Sequence, residues 1–323
     1  MSRYGSPSFA VLLADGYDLL AAKVQNVSHK VEAAQEASHG LGDRFQAQSP
    51  TGMHVATLTQ DGAFFDDATA GMHEALNSAQ ATSRILTFAY LGNVIGNAFV
   101  GLEGVYAMAY EVLAKNGLLT KANVTYAVSG QLDRGIILQA HEAKTADWNT
   151  EAADSVDYAG ESSQQVIPIT SNSQANPTVV TTPVPHGLTS GDVIIISGVS
   201  GSSPTINGER TATVISPTTF SVPVDTSAGS GGTGGSFVRA NSANGGVGYQ
   251  QVSALSGFTG FVGKIRDSAD DVTYADLITF ANVTSAPNAQ RIAVSGTVDR
   301  YLAYDGNVTG SGSITPFVGF SRS

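Results

Sequence analysis

The sequence predicts a mainly β protein: an antiparallel β-sandwich or barrel with one short helix, plus a small all-β unit inserted into it. Three observations carry that reading. The chain has 36 glycines among runs rich in Ser, Thr, Val and Ala, a composition of frequent turns between short strands rather than long helices. Apolar segments of strand length recur between turn signals. Between two strand-like segments that echo one another, the composition shifts as it does around an insertion. With 323 residues, 42% hydrophobic and 13% charged, one large domain or two ordinary ones can bury a core.

The elements follow in order. Residues 9–14 form an apolar run that Asp15 ends. It is too short for a signal h-region or a bilayer span, so the expectation is a soluble chain made in the cytoplasm. Residues 9–31 read as strands around an Asp15-Gly16 turn, because Asp-Gly supplies the positive φ that hairpins need. Asp61-Gly62 is expected to be a second such turn. The best helix is DDATAGMHEALNSA, residues 66–79. Its leading acids suit the positive end of the helix dipole, and Met72, Ala75, Leu76 and Ala79 share a face. Residues 84–110 are long and apolar, but four glycines, two asparagines and Glu103 interrupt them. Their β-branched and aromatic content fits two buried strands and a tight connection better than a membrane span.

The echo is AVSGQLDR, residues 127–134, returning as AVSGTVDR, residues 293–300. Strand alternation would place Val128, Gly130, Leu132 and Arg134 on one face, matched by Val294, Gly296, Val298 and Arg300. Two equivalent strands of one sheet, or two unrelated strands ending in a charged pair, both account for it. Asp133, Arg134, Asp299 and Arg300 are the candidate inter-subunit contacts; the plainer alternative is a solvated rim pair worth little. Between the echoes, residues 147–161 carry five acids and no base, and residues 162–183 are polar with three prolines. DVIIISGV, NGERTATVI and TTFSVPV then read as strands separated by turns. SAGSGGTGGS, residues 227–236, reads as a flexible connector. The organisation expected is a discontinuous host, residues 1–165 and 241–323, around an inserted unit, residues 166–240. His186, between Pro185 and Gly187, stands at a sharp turn into that unit, where a lone histidine is structural rather than a metal ligand.

Little of the sequence points to chemistry. There are no cysteines, hence no disulfides or thiolate metal sites. The six histidines are scattered with no ligand-type spacing, and no metal or cofactor is expected. Residues 229–234, GSGGTG, match a dinucleotide fingerprint in letters only, since no helix pattern follows. GFTGFVGKI, residues 257–265, lacks the first glycine and the Ser/Thr of a phosphate loop. A net charge of −11 disfavours tight binding to a phosphate backbone. A triad assembled from distant residues stays open, though nothing supports an enzyme.

Outside the insert, LLADGYDL, TQDGAFFDDATAGMHEAL, GKIRDSADDVTYADLITF and QRIAVSGTVDRYLAYDGNVTGSGSITPFVGFSRS resemble, in this order, the major tail tube proteins of long-tailed bacteriophages. The pattern HGLTSGD…NGE…PTTFSV is similar to small β-barrel modules embedded in phage virion proteins. The resemblance implies a virion protein whose copies form hexameric rings stacked into a hollow tube, with each copy adding strands to a continuous inner barrel. It further implies a tape-measure protein and a tail terminator as partners, and DNA passing through the lumen without specific binding. A closed barrel removes exposed sheet edges, and head-to-tail contacts generate rings and filaments. An acidic lumen would repel DNA, with screening over about 8 Å confining the effect to the wall. The alternative is a carbohydrate- or receptor-binding β-sandwich on a virion or cell surface. Its weakness is a single tryptophan, Trp148, where sugar stacking wants aromatic faces.

Overall fold

The computed structural model describes residues 11–19, 24, 26–38, 47–64, 73, 83–128, 130, 132–151, 154–158, 166–241 and 244–322. Its strands pair antiparallel throughout. Before the insert run β1 (Val11–Ala14), β2 (Tyr17–Asp18), β3 (Asn26–Ser38), β4 (Ala47–Phe64), β5 (Arg84–Ala89), β6 (Ala98–Leu113), β7 (Lys121–Val128), β8 (Leu132–Gln139), β9 (Trp148–Asn149) and β10 (Val156–Asp157). Next come β11 (Ile167–Pro168), β12 (Ser171–Asn172), β13 (Thr178–Thr181), β14 (Val193–Ser197), β15 (Gly208–Thr211), β16 (Thr213–Ser216), β17 (Thr219–Val222) and β18 (Ser236–Arg239). The chain ends with β19 (Gly246–Ser268), β20 (Ala275–Thr279), β21 (Asn288–Val294) and β22 (Tyr301–Arg322). Apart from His73, the helix expected at 66–79 lies outside the described residues.

One 14-stranded sheet joins both flanks in the order β2-β1-β5-β6-β8-β22-β19-β20. The reason for continuous apolar runs here is burial on both faces. In β1, Leu12 and Ala14 enter one core, whereas Val11 and Leu13 enter another with Ala89, Phe99, Ile137, Val247, Tyr249 and Phe317. That second core is lined from both flanks. The two strands expected within 84–110 are β5 and β6, paired from Phe88↔Val100 to Arg84↔Val105.

The Asp15-Gly16 turn forms as expected, with φ of 50° and 85°. Gly16 also has no room for a side chain: a Cβ there would sit 2.7 Å from the Val252 carbonyl oxygen of β19. Its N–H donates to Gln251 Oε1 at 2.6 Å, and Gln251 Nε2 donates to Thr87 Oγ1 at 2.9 Å. A buried glutamine thereby ties β19 to the opposite end of the sheet, where strand pairing stops.

β19 and β22 form one ribbon from Gly246↔Arg322 to Ser268↔Tyr301, broken by register shifts near Val252, Ser256 and Phe258. Bulges bend and twist a ribbon, and this one wraps a third core around Phe258, Phe261, Ile265, Tyr304 and Ile314. β7 and β8 lie in line along the edge of β6 opposite β5. From there the sheet forks: β7 continues to β4 and β3, whereas β8 continues to β22.

Three expectations need correction. Asp61-Gly62 is no hairpin turn; both lie inside β4, where the pairing with β7 slips between Gln60 and Ala63. Asp-Gly serves a bulge as readily as a turn, and sequence does not separate them. The echo segments are not equivalent strands. Residues 127, 128 and 132–134 pair with β6, but the chain leaves β21 after Val294 and crosses to Tyr301. That crossing is needed because β21 ends beside Gly246 and β22 begins beside Ser268.

The third correction concerns residues 227–236, which are not a loose connector. Two four-stranded sheets, β11-β18-β14-β15 and β12-β13-β17-β16, enclose a core of Ile194, Ile196, Ile206, Phe220 and Phe237. The glycine-rich run threads between them. Ser200 and Thr233 bridge, as do Ser203 and Ser230, and Gly232 N–H donates to Asn172 Oδ1 at 2.9 Å. A Cβ on Gly232 would stand 2.7 Å from Ser200 O. The glycines permit close backbone approach, not disorder.

Candidate assembly surface

The four candidate contact residues sit in different surroundings. Asp133 on β8 is buried, accepting hydrogen bonds from the Tyr249 hydroxyl and from Arg291 Nη2 at 3.0 Å. Arg291 Nε also donates to Tyr249 Oη at 3.0 Å, and its Nη1 pairs with Glu103 Oε2 at 2.7 Å. Burial, then the Asp133 hydrogen bond, pushes the Tyr249 hydroxyl far above its ordinary pKa, so it stays a donor. Four strands, β6, β8, β19 and β21, meet in this network.

Arg134, the next residue, is exposed, and its carbonyl accepts from Ser321 Oγ at 2.7 Å. Alternation along β8 separates the two fates.

Arg300 grips Asp157 bidentately, Nε to Oδ1 at 2.9 Å and Nη2 to Oδ2 at 2.8 Å, and reaches Glu209 Oε2 at 3.3 Å. The Asp157 hydrogen bond, ahead of all else, raises its pKa further above the usual arginine value. Its guanidinium also lies over the Tyr301 ring, 4.9 Å from the centroid. Asp299 contributes backbone: its N–H donates to Asp267 Oδ2 at 2.9 Å. Its carbonyl, with those of Val298 (2.6 Å) and Arg300 (3.1 Å), accepts from Arg322. Burial pulls the Arg322 pKa down to about 10, which still leaves it cationic at neutral pH. It lies 4.1 Å from the Tyr158 ring centroid. Arg322 thus ties the end of β22 to the loop that precedes its start.

Sequence reasoning missed Tyr249 and Arg291, whose partners are remote in the chain, and Arg322, whose partners are backbone carbonyls that carry no sequence signal. The AVSGTVDR echo marked Arg300 but not Asp157, which lies 143 residues away.

Two surfaces are open among the described residues. β3 has thirteen residues and one hydrogen-bonded neighbour, β4, and Lys30 and Glu32 pair on it at 2.7 Å while well exposed. The second is the tip of the β6–β7 hairpin, where Leu113, Leu118 and Leu119 are exposed, Leu118 at 66% and Leu119 at 70%. The tip closes as a β-turn, with Leu118 N–H donating to Lys115 O at 3.0 Å.

Chemistry is sparse. His141 Nε2 and Ser253 Oγ lie 2.7 Å apart, and burial lowers the His141 pKa, against the opposing charge of Asp18. Ser253 also bonds Thr315 O at 3.3 Å. No group of three or more His, Asp or Glu among the described residues is placed to hold a metal. Trp148 is half-buried, stacked on Phe261 at 5.6 Å and 8°, with its indole N–H on Gln139 Oε1 at 2.7 Å. Its ring is packing material rather than a sugar platform. His186 is buried, as a structural turn histidine requires: Leu188 N–H donates to Nδ1 at 3.0 Å, and Nε2–H donates to Ser216 O at 2.8 Å. No described helix is long and apolar enough to cross a membrane.

No protein-family model and no curated protein matches the chain. Among solved structures it is similar to a chain of the virion of a native gene transfer agent particle, at 10% identity and a TM-score of 0.31, covering 40% of this chain and 97% of that one. A chain from the tail of an empty gene transfer agent particle, refined with C6 symmetry, gives 10% identity and a TM-score of 0.24, covering 33% and 76%. The Dit protein of phage SPP1 gives 10% and 0.24 over 97% of this chain and 98% of its own. Scores of that size define no common fold.

Proposed function

We propose that this chain is a structural protein of a phage virion tail whose copies join head to tail into rings, hexameric and stacked into a hollow tube through which DNA passes. The observation that carries the reading is the long β3 strand with a single neighbour among the described residues. An unpaired edge of that length is a template for another chain, and specific assembly is a standard way of satisfying it. Exposed charges such as Lys30 and Glu32 disfavour indiscriminate pairing. The tail-tube resemblance of the flanking segments supports the same reading and brings with it the tape-measure protein and tail terminator as partners. Residues 1–165 and 241–323 would build the tube, with residues 166–240 as an outward-facing unit. Of the four contact candidates, exposed Arg134 would meet a neighbour directly. Asp133, Asp299 and Arg300 would hold the shape of the surface from within.

Electron microscopy of the purified full-length chain tests this. Rings or hollow filaments are expected. Monomers or trimers that bind glycans on an array would replace the reading with the receptor-binding alternative.

A further inference from the structure

We infer that the β6–β7 hairpin tip docks onto the loop of residues 269–274 in a second copy of this chain, an assignment that rests on the self-assembly reading and gives it a surface. The tip exposes three large hydrophobic side chains together, Leu113, Leu118 and Leu119. A shallow apolar depression there is lined by Leu113, Lys115, Leu118, Leu119 and Lys121. Exposed apolar surface concentrated in one place marks an interaction site, whereas scattered single residues do not.

Charge complementarity selects the occupant. Lys115 rims the tip in a chain of net charge −11, so another copy offers this cation an opposite field. Lys115 makes no ion pair among the described residues. The matching feature is the 269–274 loop. Val272 is its most exposed hydrophobic residue, at 80%. Immediately before it in the chain, Asp270 and Asp271 likewise have no cation partner among the described residues.

The loop is also shaped in advance. Asp270 Oδ1 accepts from the N–H groups of Val272 (3.0 Å) and Thr273 (2.9 Å), and Asp271 from the Tyr274 hydroxyl. Both partners are therefore ordered before they meet, which limits the entropy lost on docking. Leucines 118 and 119 would cover Val272, with Lys115 facing Asp270 and Asp271. The two patches are different surfaces of one chain, so the contact is heterologous and propagates into rings or filaments.

The chain contains no cysteine, so engineered pairs report without background. Full-length Leu119→Cys and Val272→Cys proteins, mixed and oxidised, are expected to give a disulfide-linked dimer that neither gives alone. A Leu118→Ser/Leu119→Ser double variant, altered only at exposed positions, is expected to raise the concentration needed for assembly by about 100-fold. Lys115→Glu should weaken assembly. If the unmodified protein forms rings or filaments while the mixed cysteines do not cross-link and the leucine variant assembles normally, the docking assignment is wrong and the self-assembly reading stands. An unmodified chain that stays monomeric at every concentration by sedimentation overturns both.

Discussion

The region of residues 167–239 and the sheet around it solve the same closure problem by different means. In the first, two short sheets are laced by hydrogen bonds over moderate separations, His186 to Ser216 across 30 positions and Asn172 to Gly232 across 60, with one ion pair from Arg239 to buried Asp192. In the large sheet, the seams are closed by buried polar and charged groups that reach much further. Tyr249 meets Asp133 across 116 positions, Arg291 meets Asp133 across 158, and Gly16 meets Gln251 across 235. Short-range closure draws most of its partners from within the region, although Arg300 reaches in to Glu209. Long-range ionic closure makes one body of two flanks, at the cost of needing every partner in place.

Arg291→Met should sharpen that contrast most. It leaves Asp133 buried without its cation, which costs about 3–5 kcal/mol. Differential scanning calorimetry should show the transition of the large sheet falling steeply while that of residues 167–239 stays put. If both fall together, the two regions are one cooperative unit and the comparison fails. His186→Ala is the converse experiment. It removes an acceptor and a donor from two backbone groups inside the smaller region and is expected to cost about 2–3 kcal/mol, confined to that region's transition.

The smallest effect tests the rim of the large sheet. The hydrogen bond from Lys264 at 2.6 Å, and then the nearby charges, hold Asp276 below its usual 3.8. Its contribution is present above that value and lost as pH falls through the lower folded value. Asp276→Asn should therefore remove a component of acid sensitivity below about pH 4 that solvent screening keeps under about 1 kcal/mol. Denaturant midpoints measured from neutral to acid pH would coincide for the two proteins at low pH and separate only above it. A constant offset at every pH would mean that ionisation of Asp276 contributes nothing.

Legibility divides along the same line. Val193–Ser197, Gly208–Thr211 and Thr219–Val222 were readable as strands because alternation and turn residues are local signals. His186 was readable as architecture for the same reason. Where one local signal serves two structures, reading failed: Asp61-Gly62 became a bulge, and the glycine run at 227–236 became an ordered seam. At the candidate surface, Arg300 was visible in the sequence, but its bidentate partner Asp157 was not. Leu118 and Leu119 looked like any apolar pair until the hairpin placed them at an exposed tip.

By itself, then, the sequence determined the strand-rich class, the strands within 11–18, 84–110 and 193–222 and the Asp15-Gly16 turn, since backbone preference and side-chain alternation act over a few residues. Only the tertiary structure decided which strands became neighbours, which acids found an arginine and which apolar side chains stayed outside. Those outcomes depend on long-range pairing that distant segments settle jointly, and no local pattern encodes it.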